Sequence, residues 1–465
     1  MNSHTNYSNQ QAIVLGGSLS GLLTARVLSN HFANVTIIER DAVHTDAVAR
    51  KGQPQTRHLH GLLATGLEVM SRYFPDLPQA LTNGGAITPD FAASMNWYTY
   101  GGVRKRFTMG VKAALMSRPF LEALVRERVL AIPNIALLDQ CGVKGLLCTP
   151  DRQRITGVEL DPRGETPAAT TMLADLVVDC TGRGSRSPQW LVDLGYEAPP
   201  TSEVKVDVGY ATRVYRRDPA DPRGQEWMLS TPDAPRETRF GGLFPIEGDR
   251  WICSIGGWHG DHGPLDEAEF MKFARSLPNT EIYDIISRAE PISDIMLHKF
   301  PFSLRRHYEK LRRFPQGYLV LGDAISSFNP TYGQGMTSAT LQTAELDQLL
   351  EKGIALEKLA PAFFKAAAKV IDIPWQLAVG EDFRYAETSG PKPAGVDLIN
   401  KYVARVHRAT LHDEVVCNAF LKVMNLMAPP TSLFHPRIVW RVMRTARLER
   451  HNTIHTLAVP IEEPQ

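Results

Sequence analysis

The chain has 465 residues, 43% hydrophobic and 22% charged, which excludes a disordered or fibrous protein and leaves room for two or three packed units able to bury a ligand. Lysine plus arginine number 51 against 50 for aspartate plus glutamate, so no global field gathers nucleic acid or an anionic membrane, and a small-molecule partner is expected. Five cysteines (Cys141, Cys148, Cys180, Cys253, Cys417) without C-x-x-C spacing suggest neither a disulfide framework nor a zinc site; with no secretory signal and no run of 18 apolar residues, the expectation is a cytoplasmic protein with no metal and no membrane span.

Residues 1–10 read as a disordered lead-in. Ala12–Leu15 is a buried strand running into the turn at Gly16-Gly17; Leu19, Leu23 and Val27 then recur at helical spacing as far as about Phe32, and Val35–Ile38 is a second strand ending before Glu39. That is a βαβ unit. Asp175–Val178 and Tyr318–Leu321 are short apolar runs ending in glycine turns, and both read as central strands of the same sheet. Between about Pro199 and Asp294, runs such as Gly242–Ile246 and Trp251–Ile255 alternate with Pro, Gly and Asp turns, the texture of an inserted antiparallel sheet. Past about Leu350 the pattern is helical, interrupted by the linker Ser389–Gly395.

Gly16, Ser18 and Gly21 fill the three positions of G-x-G-x-x-G between a strand and a helix. Gly16 permits the tight turn, the small Ser18 lets backbone approach a pyrophosphate, and Gly21 lets helix and strand pack closely. The helix amino terminus presents N–H groups and partial positive charge to the diphosphate. Glu39, with Arg40 beside it, stands about 20 residues on, where a ribose acceptor is needed. This fingerprint does not separate FAD from NAD.

A second motif does. Gly322-Asp323-Ala324, followed by Asn329-Pro330 and Gly333-Gln-Gly335-Met336, ends a strand and opens a helix. At this point the chain resembles the FAD-dependent aromatic hydroxylases (group A), in which the aspartate binds the flavin ribityl chain and the Pro and Gly residues approach the ring. Lys51–His60, Val177–Arg186, Pro374-Trp375 and Asp382–Tyr385 extend a closer resemblance, over nearly the whole chain, to the flavin olefin epoxidases of polyether biosynthesis. The resemblance implies an α/β fold: a Rossmann-type, para-hydroxybenzoate hydroxylase-like FAD domain (residues 10–85, 108–198 and 296–352), a substrate-binding sheet domain (86–107 and 199–295) and a helical C-terminal region (353–465). It also implies that Arg118 binds FAD phosphate or ribityl oxygens, and that Val143 meets adenine through its backbone. The implied activity is oxygen insertion from a flavin C4a-hydroperoxide into a hydrophobic natural-product intermediate, with epoxidation ahead of hydroxylation. The rivals are a flavin-dependent reductase or dehydrogenase of isoprenoid double bonds and a catalytically idle flavin-binding or carrier-docking protein.

Two departures bear on the chemistry. Thr181 stands where the aromatic hydroxylases carry an aspartate that helps FAD and NADPH binding, so the electron source is either NAD(P)H or a separate flavin reductase. No tryptophan lies in the W-x-W-x-I-P setting of the related halogenases. No residue is marked as a catalytic base. His58 and His60 either approach the flavin or are structural; Trp97, Tyr98, Tyr100, Phe107, Phe240, Phe244, Trp251 and Trp258 either line an apolar pocket or form core. Val416, Phe420, Val423 and Met427 share one helical face, which either caps the pocket or packs. The basic run Arg305–Arg313 is read as a solvated helix face, with docking of a phosphate, an acyl carrier or a reductase as the alternative.

Overall fold

A computed structural model describes residues 7–50, 52–162 and 170–457. The chain runs β1 (Gln11–Leu15), α1 (Leu19–Leu28), β2 (Asn34–Ile38), α2 (Ala64–Tyr73), α3 (Leu77–Asn83), β3 (Met95–Thr99), β4 (Gly102–Val103), α4 (Arg118–Leu130), β5 (Ile135–Leu138), β6 (Cys141–Cys148), β7 (Ile155–Pro162), β8 (Thr171–Leu173), β9 (Leu176–Asp179) and α5 (Ser187–Asp193). It continues through β10 (Thr201–Arg216), β11 (Trp227–Ser230), β12 (Arg239–Ile246), β13 (Arg250–Gly257), α6 (Glu267–Arg275), α7 (Glu281–Ile286), β14 (Met296–Arg306), β15 (Tyr318–Val320), β16 (Ser326–Ser327), α8 (Gly335–Glu351), α9 (Leu356–Asp382), α10 (Val396–Ala409), α11 (Glu414–Met424) and α12 (Pro436–Leu457).

Five strands form a parallel sheet in the order β15-β9-β1-β2-β5. Val14, Leu15, Val177 and Val178 are buried because such a sheet is covered on both faces, which is why these strands read as unbroken apolar runs. The strand at Tyr318 is an edge strand, not a central one. It is apolar nonetheless, because helices and loops cover it and Tyr318 itself is fully buried. Helix α1 stops at Leu28, four residues short of the expected end, as the N–H groups of His31 and Phe32 turn back onto the Leu28 carbonyl. Tyr7, expected in a disordered lead-in, is buried and stacked on Phe32; residues 1–6 lie outside the described part. A three-stranded sheet, β6-β7-β8, lies beside the parallel sheet, and its Ile155, Val158 and Leu160 join the same core.

The second sheet has eight strands, β16-β14-β10-β13-β12-β11-β3-β4, and carries the side-chain alternation that sorts its residues. Leu243, Trp251 and Cys253 point to one face and pack on Phe270, Phe273 and Ile282 of α6 and α7; Phe244 and Ile252 point to the other, toward α10 and α11. The sheet extends past residue 295, since all of β14 pairs with β10, and it is not purely antiparallel, since β3 and β11 run parallel. The Arg305–Arg313 run is not a helix face. Arg305 and Arg306 end β14 and are buried, Arg305 paired with Asp372 at 2.5 Å and Arg306 donating to the carbonyls of Ala324 and Arg183.

The β1–α1 turn and its approach to β9 in the parallel sheet depend on close backbone contact. A Cβ on Gly21 would lie 1.8 Å from the Gly16 carbonyl oxygen, and Gly16, at φ +98°, sits where a Cβ would meet the Cys180 carbonyl at 2.8 Å. Gly21→Ala is therefore expected to cost at least about 1–3 kcal/mol and to lower the thermal midpoint. Retention of the wild-type midpoint in a melting curve would show that the α1–β1 contact is looser than described.

Candidate active site

One continuous cavity of about 1220 Å³ runs from the β1–α1 turn to the C-terminal helices. It exceeds the roughly 300–1,000 Å³ of a single small-molecule site and so has room for a dinucleotide and a second ligand. Of the residues expected to bind a cofactor, Gly16, Ser18, Glu39, Arg40, Arg118, Val143, Asp323, Pro330, Gly333, Gly335 and Met336 all line it; Gly21 lies behind, in the packing of α1 on β1.

The end of the cavity at the β1–α1 turn is built on a buried ion cluster. Arg50, just ahead of the Lys51–His60 segment, bridges Glu39 at 3.1 Å and Glu122 at 2.7 Å; Lys51 itself lies outside the described residues. Arg118, the first residue of α4, reaches Glu122 at 3.5 Å and Ser18 Oγ at 3.2 Å, and Ser18 Oγ donates to Glu122. Burial would raise the Glu122 carboxyl, but Arg118 and Arg50 hold it below its ordinary range. Glu39 accepts from the Gly17 and Asp41 N–H groups, so the same carboxylate braces the turn and faces the cavity. Arg50 and Glu122 were not singled out in the sequence. Glu122 was legible as the i+4 partner of Arg118, whereas the position of Arg50 is a tertiary fact.

Across the cavity, Asp323 lines the wall between Arg118 and Arg183, and burial raises its pKa while both guanidiniums oppose the shift. Gly333 adopts φ +68° ahead of α8, and Cβ atoms at Gly333 or Gly335 would project into open space, which leaves a flat backbone surface at a helix amino terminus. Thr181 faces the cavity at the position of the missing aspartate; Asp179, two residues earlier, is turned inward to accept from the Thr181 N–H and from the Thr181 and Ser185 hydroxyls.

The far end is aromatic. Trp97, Tyr100, Phe240, Phe244 and Trp258 line it; Tyr98, Phe107 and Trp251 do not, because alternation sends Tyr98 and Trp251 to the other face of the sheet and Phe107 lies beyond β4. Phe420 and Val423 of α11 reach the cavity, Val416 packs in the core, and Met427 lies past the helix end and is exposed. His60 lines the cavity and donates from Nδ1 to the His58 carbonyl; His58 stays behind, its Nδ1 2.7 Å from Thr212 Oγ1. Burial pushes His58 down to about 3 and His60 to about 4, so both are neutral.

The carboxyl end of α9 delivers two acids to this region. Glu381 reaches the cavity wall, where burial is outweighed by Arg384 and His407 and its pKa falls to about 2. Asp382 lies fully buried behind the wall. Its Oδ1 accepts from Trp258 Nε1 (3.0 Å), Asn329 Nδ2 (2.8 Å) and the Tyr332 hydroxyl (2.9 Å), while Oδ2 has no partner, and burial raises its pKa to about 7. It ties α9 to the loop carrying Pro330 and Gly333.

The architecture is that of the flavin-dependent monooxygenases and halogenases. PqsL of Pseudomonas aeruginosa, described as a probable FAD-dependent monooxygenase, superposes with a TM-score of 0.59 at 16% identity, over 81% of this chain and 98% of its own. The flavin-dependent brominase Bmp2 superposes with a TM-score of 0.64 at 12% identity, over 96% of this chain and 100% of its own. A flavoprotein/dehydrogenase of Cytophaga hutchinsonii gives 0.66 at 12%, with the same coverage. The chain belongs to the family of Protein Rv3254 of Mycobacterium tuberculosis, to which it is 33% identical over 440 residues, 90% of this chain and 89% of that protein. No family model matches. Among the described residues no helix is long and apolar enough to cross a membrane.

The pKa shifts fix a sign for pH dependence. Asp382 binds its proton more tightly folded than unfolded, so its contribution to stability is full below about pH 4, is lost as pH rises toward about 7, and is flat above. His58, His60 and His407, all depressed, act oppositely and lose stability as pH falls below 6.5. Asp382→Asn mimics the protonated acid, so the gap in melting temperature between variant and wild type should shift in the variant's favour from pH 4 to pH 7. A constant gap across that range would show that Asp382 does not titrate there.

Proposed function

We propose that this protein is an FAD-dependent monooxygenase that inserts one atom of O₂ into a hydrophobic natural-product intermediate, alkene epoxidation being favoured over hydroxylation. The observation that carries the reading is the single cavity joining a dinucleotide turn and the Pro330–Met336 loop to an aromatic chamber. With FAD bound, the chemistry supplied is two-electron reduction, by NAD(P)H or by a separate flavin reductase, followed by activation of O₂.

The residues fit the cofactor in shape and charge. Gly16, Ser18 and the first turn of α1 would take the diphosphate, with the packing of Gly21 holding the turn; Glu39 and Arg40 would face the adenosine ribose, and Val143 the adenine. Arg118 would meet phosphate or ribityl oxygens, Asp323 would accept from ribityl hydroxyls, and Pro330, Gly333, Gly335 and Met336 would border the ring. This division of labour gives a domain reading in which residues 10–85, 108–198 and 307–352 serve the cofactor and the large sheet, with β14 (Met296–Arg306) included, serves the substrate.

The preference for alkenes rests on the bases within reach of the chamber. His60, His298 and His407 are held neutral by burial, and Glu381 is held ionised with little proton affinity. None is tuned near neutral pH to remove a phenolic proton, as hydroxylation of a phenol requires. Oxygen transfer to an alkene needs positioning and exclusion of water, which the aromatic walls supply.

FAD-loaded protein given NADPH, with or without a flavin reductase, together with trans,trans-farnesol and ¹⁸O₂ is expected to yield a product heavier by one labelled oxygen. Label taken only from water would remove the reading. Turnover that persists without oxygen would instead favour a reductase or dehydrogenase of isoprenoid double bonds.

A further inference from the structure

At the far end of the cavity the aromatic wall is interrupted by three polar groups, Tyr100, Glu381 and His407, brought together from the β3–β4 turn, the end of α9 and the end of α10. Tyr100 occupies the first position of a two-residue hairpin turn, at φ +49°, with Gly101 at +82° behind it. That position ordinarily takes Asn, Asp or Gly, and a tyrosine holds it against steric preference only where its surroundings fix it. Here the ring stacks on His407 at 5.1 Å and under Arg408 at 5.1 Å, and its hydroxyl accepts from Arg384 Nη1. The hydroxyl proton is therefore free to be donated.

The other two groups can be assigned just as definitely. His407 Nδ1 lies 2.8 Å from Arg104 Nη2; a guanidinium only donates, so Nδ1 accepts and the ring proton sits on Nε2. That N–H lies 3.6 Å from Glu381 Oε1, beyond hydrogen-bond distance, so an oxygen lying beside the pair on the cavity side can accept from His407 and donate to Glu381. Glu381 is held by Arg384, with Nε at 2.7 Å from Oε2 and Nη2 at 3.2 Å from Oε1, and its carboxylate keeps acceptor capacity toward the cavity. Arg104 is locked behind the wall between the Trp97 and Phe420 rings, 4.3 Å from each. The cavity thus sees two donors and one acceptor set in an apolar surface.

We propose that Tyr100, His407 and Glu381 form a recognition site for one neutral hydroxyl group on an otherwise apolar ligand, whose oxygen accepts from Tyr100 and His407 while its proton is donated to Glu381. A carboxylate in that position would be set against the Glu381 carboxylate, and an ammonium against Arg104 and Arg384 immediately behind. A hydroxyl matches both signs. The inference names the substrate class of the oxygenase reading and rests on that reading only in calling the ligand a substrate, since binding is measurable without turnover.

Equilibrium dialysis of FAD-loaded protein against three probes tests it: trans,trans-farnesol, its methyl ether and farnesoate. Farnesol is expected to bind about tenfold more tightly than the ether, which has no proton for Glu381, and more tightly than farnesoate. Tyr100→Phe, which keeps the ring and the Glu381–Arg384 pair, should weaken farnesol about tenfold with unchanged flavin content and flavin spectrum. Glu381→Gln should shrink the preference of farnesol over the ether. Equal affinity for farnesol and ether, tighter binding of farnesoate, no binding of any probe, or farnesol affinity unmoved by Tyr100→Phe would each overturn the proposal. Oxygen insertion could fail while this preference stands, and the reverse, so the two readings fall separately.

Discussion

The structure depends first on how closely three pieces of backbone approach one another beside the β1–α1 turn. Gly21 lets α1 settle on the carbonyl of Gly16, and Gly16 in turn fits beneath the carbonyl of Cys180 at the end of β9. Any side chain at these points would push α1 away from the sheet or β1 away from β9. The mouth of the cavity, and the direction in which the α1 amino terminus points, follow from these contacts.

Charge then fixes what the backbone leaves open. Arg50 joins the end of β2, through Glu39, to the start of α4, through Glu122, and so holds together two elements that are far apart in sequence. Three guanidiniums, of Arg50, Arg118 and Arg126, surround the Glu39 and Glu122 carboxylates, an excess of cation at the end suited to a diphosphate. At the other end, Glu381 and Asp382 are neighbours in sequence with opposite fates. Glu381 faces Arg384 and His407 and is held ionised, whereas Asp382 meets only neutral donors and is pushed toward its protonated form. A single helix end thereby presents a fixed negative charge to the cavity and a buried acid to the loop carrying Pro330.

The large sheet supplies the partition between core and chamber. Its alternation places Trp251 among α6 and α7 and Phe244 toward the cavity side, and the C-terminal helices close the chamber with Phe420 and Val423. An aromatic count along the chain cannot make that assignment, because it depends on strand parity and on which face each layer covers.

From the sequence alone, the βαβ unit, the glycine turn after β1, the inserted sheet and the helical tail could be read, since each is governed by local periodicity and by glycines whose backbone role is set within a few residues. The loop with Asp323, Pro330 and Gly333 stood out through its resemblance to the aromatic hydroxylases. What tertiary structure decided were the features made by residues distant in sequence: the edge position of the Tyr318 strand, the membership of Met296–Arg306 in the large sheet, the burial of Arg50, and the meeting of Tyr100, Glu381 and His407 from three separate elements. Burial and charge pairing between such residues arise only when layers pack, and no spacing along the chain encodes them directly.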